Sequence, residues 1–403
     1  MQKHNSSIQK SVFSLFLIFS LCIFSLNAND WGIWRGENQT GISSEKKWKP
    51  SGVSKKLWKI NVGVGYSSVA TKGKYCYTLG WKNGQDTVVC INSEKGSIEW
   101  SFSYKCSKGG GFAGPRATPV IDGDYIYTFS NEGHLHCLSL KDGTKKWVAK
   151  VTDHGAQNIQ WGFSSPPYIQ DGLVVVNAGK AGMAFNKKSG EKVWGEGGKC
   201  SYASPIPFKF KKKDALAIFG QKHLHAVDFK TGKIHWSYPW ETSYDVNAAD
   251  PIILGNKIFI SSAYNKGSAL IDFSSGKPKE VWKTTDMRNH FSSSILLPKS
   301  KGVLIGSDGN TGKGKLVAIN LKNGKQVWSQ KTQFASLFYA GDKLICLNEK
   351  GLISIGKVDS KGFKPSSSAQ LDNGGKYWSM PILSHAKLYC RGSNGLLTCL
   401  DMK

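Results

Sequence analysis

Short runs of alternating apolar and small or polar residues recur along most of the chain. Leu135-His136-Cys137-Leu138-Ser139, Leu224-His225-Ala226-Val227-Asp228 and Leu316-Val317-Ala318-Ile319-Asn320 share one frame: apolar, variable, small, apolar, then Asn, Asp or Ser. Val88 to Asn92 and Leu397 to Asp401 fit the same frame. A period of two predicts a strand. The closing Asx or Ser can bond its own backbone and start a turn. Asp142-Gly143, Ser189-Gly190, Thr231-Gly232 and Asn323-Gly324 then precede a second alternating run that carries a Trp. Gly takes positive φ without steric cost, so these dipeptides read as hairpin turns. Upstream lies an apolar run, as in Tyr75-Cys76-Tyr77, Tyr125-Ile126-Tyr127 and Leu388-Tyr389-Cys390. Before that comes a short run opening at Pro, as in Thr118-Pro119-Val120, Asp250-Pro251-Ile252 and Met380-Pro381-Ile382. Pro is tolerated at the first residue of a strand. Each unit is therefore four short antiparallel strands.

The units repeat. Trp58, Trp100, Trp147, Trp194, Trp236, Trp282 and Trp328 follow one another at intervals of 42 to 47 residues, with two extra residues between Ser275-Gly276 and Trp282. Four strands at this period predict a propeller blade. Units open near Ser67, Thr118, Ser165, Ser204, Asp250, Ser293, Ala335 and Met380, which makes an all-β, eight-bladed propeller over residues 56–403. The seventh unit is degenerate, because no Trp follows the Gly351–Gly356 strand. The eighth ends at Lys403 without an outer strand, whereas Leu57 to Val62 is an outer strand with no blade before it. That strand is expected to complete blade eight, close the ring and remove a free edge. Residues 29–55 are expected to form an N-terminal extension lying on the propeller.

The phrase resembles the PQQ-like repeat of quinoprotein alcohol dehydrogenases, in which an Ala-Leu-Asp strand, a Thr-Gly-Lys turn and a Trp recur. The resemblance covers residues 57–403. It implies that Trp100, Trp147, Trp194, Trp236, Trp282 and Trp328 stack between neighbouring blades. The repeat is also similar to that of the non-catalytic propeller lipoprotein of the outer-membrane barrel-assembly machinery. Asp30-Trp31-Gly32-Ile33-Trp34-Arg35-Gly36, with Gly41 after it, resembles the Trp-Pro-x-Trp-Arg-Gly start of many exported PQQ-like repeat proteins, with Gly32 in place of Pro.

Composition adds compartment and charge. Residues 1–28 have a basic start at Lys3 and Lys10, an apolar run from Val12 to Leu26 and a small ending at Ala28, and so read as a secretory signal. The protein is then extracytoplasmic, in the periplasm or secreted. No other segment is apolar enough to span a bilayer. Losing Lys3 and Lys10 lowers the net charge from +26 to +24. Such an excess favours anionic partners, and export disfavours nucleic acid among them. A protein or an anionic polysaccharide of the envelope is the expected partner, bound by a monomer. The aromatic share of 12% excludes a disordered chain.

Catalytic motifs are sparse. The family resemblance implies two adjacent Cys over a quinone and a Glu, Asn and Asp set for Ca²⁺ and base catalysis. Cys-Cys does not occur, and Asp245, Asn247 and Asp250 are the nearest approach to the ligand set. No cofactor is therefore expected, with PQQ and Ca²⁺ as the alternative. His134/His136 and His223/His225 pair along strands, but both occupy the same repeat position, which favours strand filling over a metal; none is expected. Asp308-Gly309-Asn310 lacks the closing Glu of a Ca²⁺ loop. Cys90, Cys137 and Cys399 stand where other units have Ala, and so read as small buried residues. Cys106 and Cys200 lie in loops and are the better candidates for a disulfide. Residues preceding the inner strands should face the channel mouth: Tyr66, Arg116, Trp161, Tyr202, Asp245, Asn247, His290 and Trp378, with Arg288 nearby. Aromatics and Arg in one funnel suit a carbohydrate, a peptide or an anionic small ligand. The sequence thus favours an exported, non-catalytic binding scaffold, with a quinone-dependent alcohol or sugar oxidoreductase as the alternative.

Overall fold

The computed structural model describes residues 30–403; the expected signal segment lies outside them. Eight four-stranded antiparallel sheets follow one another around a ring. Their inner strands are Ala70–Lys72, Val120–Asp122, Tyr168–Gln170, Ile206–Phe210, Ile252–Leu254, Ile295–Leu296, Ala335–Ala340 and Ile382–Ser384. Closure is as expected. Lys56–Asn61 pairs antiparallel with Leu396–Asp401 and supplies the outer strand of blade eight. Arg391 secures the same seam. It is fully buried and donates to Ser67 O at 3.2 Å, Thr78 Oγ1 at 2.6 Å and Gly63 O at 3.0 Å, all in blade one or its approach.

The core is divided among the seams between blades. Third strands such as Lys315–Asn320 are buried along their middle on both faces, because a neighbouring sheet covers each face. Outer strands such as Ile98–Lys105 alternate instead, with one face in water. The repeated Trp sits in the outer strand, opposite the small residue of the third: Trp100 faces Cys90, Trp147 faces Cys137 and Trp58 faces Cys399. In blade five the position opposite Trp282 is held by Leu270. All eight described cysteines are buried free thiols, so the disulfide expected for Cys106 and Cys200 is absent. Cys106 instead gives its proton to Asn131 Oδ1 at 3.0 Å.

Each indole crosses into the next blade. Trp58, Trp100, Trp147, Trp194, Trp282 and Trp328 donate from Nε1 to Ser93, Leu140, Lys187, Phe229, Leu321 and Asp359 carbonyls of the following blade. Trp236 packs 5.8 Å from the Phe273 ring but its Nε1 finds no acceptor. It meets the one turn that carries the two extra residues. Blade seven has Ser367 in the Trp position, opposite Ile355. The short helix Pro50–Ser54 packs against that outer strand and against blade eight, burying Val53 beside Ile353, Ile355 and Leu388.

Residues 30–45 run along the inner strands of the blades and the segments that precede them. Trp31 pairs with Thr71 in blade one and Gly32 O accepts from Ile121 N in blade two. Trp34 Nε1 donates to Asp250 Oδ2 at 2.8 Å ahead of blade five. Ile42–Ser43 runs parallel to the inner strand of blade seven. Asp30 and Glu45 bond His385 and the Ala386 amide in blade eight. Arg35 is 2% exposed and donates to Gln39 O, Thr40 O and Ser294 O. Gly36 has φ +81°, and a Cβ there would lie 2.6 Å from the Trp31 ring. The Trp-x-x-Trp-Arg-Gly pattern is thus the signature of a plug.

Candidate functional site

Above the plug, where the inner strands begin, lies a cavity of about 270 Å³. Tyr66, Arg116, Trp161, Tyr202, His290 and Trp378 line it, brought together from six blades by the repeat. Tyr66 and Trp378 stack at 5.4 Å and 24°. Phe112 closes edge-on against both, at 6.4 and 5.2 Å. Phe291 continues the wall, 5.2 Å from Trp378. On the other side Trp161 and Tyr202 meet at 5.9 Å. Ser164, Ser292, Ser293, Asn310 and Thr311 add small polar groups.

Charge in the cavity is one-sided. Asp250 is its only acid, and both carboxylate oxygens are taken. Oδ1 accepts from Ser204 N at 2.8 Å, while Oδ2 accepts from Trp34 and lies 3.8 Å from Arg35 Nε. Among the described residues, Arg116 has no carboxylate within ion-pair distance. Its guanidinium lies 5.7 Å from the Tyr66 centroid and donates only to the Gly114 and Phe112 carbonyls. Burial lowers its pKa, with nearby tyrosines opposing. Burial likewise pushes His290 down to about 4, so it is neutral near pH 7. The cavity is therefore an aromatic cup with one unpaired, partly desolvated cation.

The other three funnel candidates do not line the cavity. Asn247 is fully buried and donates to Gly220 O and Gln221 O, while its Oδ1 accepts from Ser262. Asp245 Oδ2 accepts from Gln221 at 2.7 Å. Arg288 makes a two-pronged pair with the buried Asp308, Nε to Oδ1 at 3.0 Å and Nη2 to Oδ2 at 2.9 Å. That pair also fills the Asp308-Gly309-Asn310 segment with an arginine. Asp245 Oδ2, Asn247 Oδ1 and both Asp250 oxygens thus accept from protein donors, and Asp245 and Asn247 stand outside the cavity, which does not fit a Ca²⁺-held quinone there. Trp34, Phe112, Tyr264 and Phe291 line the cavity without having been expected there. Only Trp34 carried a signal, in the Trp-Arg-Gly pattern.

A family model described as outer membrane protein assembly factor BamB matches residues 84–330. The chain belongs to this family of PQQ-like repeat propellers. Among solved structures it is similar to BamB from Moraxella catarrhalis, at 16% identity and a TM-score of 0.62, over 86% of this chain and 97% of that one. It is similar also to the quinohemoprotein alcohol dehydrogenase of Comamonas testosteroni, at 13% identity and a TM-score of 0.70, over 92% and 80%. A europium-containing methanol dehydrogenase matches at 13% identity and a TM-score of 0.68, over 91% and 89%. Identities this low speak to the fold alone. No curated protein matches the sequence. Among the described residues no helix is long and apolar enough to cross a membrane.

Proposed function

We propose that this protein is an exported, non-catalytic binding scaffold whose channel-mouth cavity takes an acidic segment of a protein partner. One observation carries the reading: Arg116 lies against Tyr66 in a cavity whose lining carboxylate, Asp250, is already bonded to Ser204 and Trp34. A partner carboxylate would gain a charge-assisted bond there in partial isolation from water. Rings beside it would stack on Tyr66, Trp161 or Trp378. The family's assembly-factor description favours a protein over a polysaccharide. The excess of positive charge would draw an acidic surface in before docking. Against oxidoreductase chemistry stands the absence of a free carboxylate in the cavity to act as base.

The experiment places a photo-crosslinker at Phe112 and exposes the protein to an envelope extract. A discrete protein adduct that disappears in Arg116→Ala is expected. An adduct unchanged by that substitution, or an adduct of polysaccharide only, would overturn the reading. A parallel assay supplies PQQ, Ca²⁺ and an electron-acceptor dye with alcohols and sugars. Turnover above background, lost in Asp245→Ala, would make the oxidoreductase the better reading.

A further inference from the structure

We propose that Cys106, Glu132 and His134, beside the buried carboxyl of Asp86, form a site for a zinc-class divalent transition metal that staples blade one to blade two. One ligand atom each of Cys106, Glu132 and His134 lies within 4.8 Å of the other two. Tetrahedral ligands with bonds of about 2.0–2.3 Å sit roughly 3.3–3.8 Å apart, so closure by about 1 Å would complete the set. A thiol, an imidazole and carboxylates are the donors that zinc-like ions take.

Asp86 points to the same place independently. It is 0% exposed, lies against the Cys106 thiol and has an Oδ1 without any hydrogen-bond partner. Its Oδ2 accepts from Tyr104 at 3.3 Å. An orphaned, fully buried carboxylate oxygen is costly. Arg391 is attracted to Asp86, but its Nη1 and Nη2 donate to Ser67, Thr78, Leu79 and Gly63 and its Nε bonds no acceptor. Two carboxyls and a thiol thus meet with no cation bonded among them.

Metal binding would form a metal–sulfur bond as the Cys106 proton leaves to solvent. Glu132 and His134 are half-buried and leave an approach from water. The site sits at the root of the loop from Cys106 to Arg116. That loop carries both Phe112 and Arg116 into the cavity.

The test uses the full chain, reduced and stripped with a chelator, then titrated with Zn²⁺ or Co²⁺ alone. One tight equivalent is expected, with a thiolate-to-cobalt charge-transfer band and a raised Tm. Cys106→Ser and Glu132→Gln should each weaken binding by more than about 100-fold, beyond the loss seen for outer-shell partners. Cys137→Ala, in the same blade but outside the cluster, should bind as the parent does. Glu132 is partly exposed, so its variant keeps the test valid if Cys106→Ser fails to fold. Absence of a stoichiometric equivalent, a cobalt spectrum without the thiolate band, or unchanged affinity in Glu132→Gln would overturn the proposal.

Discussion

The indole of Trp147 in blade two lies against the Cα of Gly190 in blade three, and a Cβ at Gly190 would sit 2.7 Å from the ring. The same relationship joins Trp58 to Gly96, Trp100 to Gly143, Trp194 to Gly232 and Trp282 to Gly324. The turn glycine therefore does two things. It takes a φ of +77° at Gly190, and its bare Cα is the floor on which the previous blade's Trp rests. Trp147→Ala should cost about 3–5 kcal/mol, the range for truncating a large buried aromatic. Gly190→Ala should also destabilise, by about 1–3 kcal/mol from strain and overpacking. Trp48, outside the repeat and half-buried, should cost far less. Denaturant melts of the three variants check this ordering, and equal losses would contradict the packing described.

Ring closure rests on one strand. Deleting residues 56–61 should leave the Leu396–Asp401 strand of blade eight unpaired on its outer side. An exposed edge invites association. The truncated protein should aggregate or lose its single cooperative transition. A monomer that melts like the parent would show that closure does not depend on this strand.

The plug makes a separate prediction. Arg35→Met should cost about 3–5 kcal/mol, because it removes one partner of a buried charge pair and leaves Asp250 uncompensated. Trp34→Phe keeps an aromatic ring but loses the bond to Asp250 and part of the indole volume, so it should cost about 1–3 kcal/mol. Calorimetry of both variants distinguishes a plug bonded into the channel from one that merely covers it, for which the two losses would be small and alike.

Stability should fall on mild acidification. Burial lowers His225 and His290 to about 4 each, against about 6.5 in an unfolded chain. Between those values the unfolded chain binds the proton and the folded chain does not. The contribution is therefore complete above about pH 6.5 and is lost as the pH drops towards about 4. The slope is about 1.4 kcal/mol per pH unit for each such histidine. His290→Asn and His225→Gln should each flatten the dependence in that window. Melts at pH 7 and pH 4.5 read it directly, and an unchanged slope in both variants would contradict the burial described.

Periodicity alone determined the strands, the blade count, the position of the repeated Trp and the closing strand. These follow from local alternation and from a single orphan strand that has one place to go. The same reading located six cavity residues, because the position before each inner strand repeats around the ring. Asp245, Asn247 and Arg288 share that neighbourhood in sequence but lie outside the cavity and turn to Gln221, Gly220 and Asp308. Such choices depend on which acceptor the next sheet presents. Only the closed ring decided the plug, in which Trp34 meets Asp250 across 216 residues and Arg35 meets Ser294 across 259. Only the seam between blades one and two decided that Cys106, Glu132 and His134 converge. A strand records its own neighbours in its pattern of side chains, whereas contacts across blades and through the channel exist only once the ring has brought distant segments together.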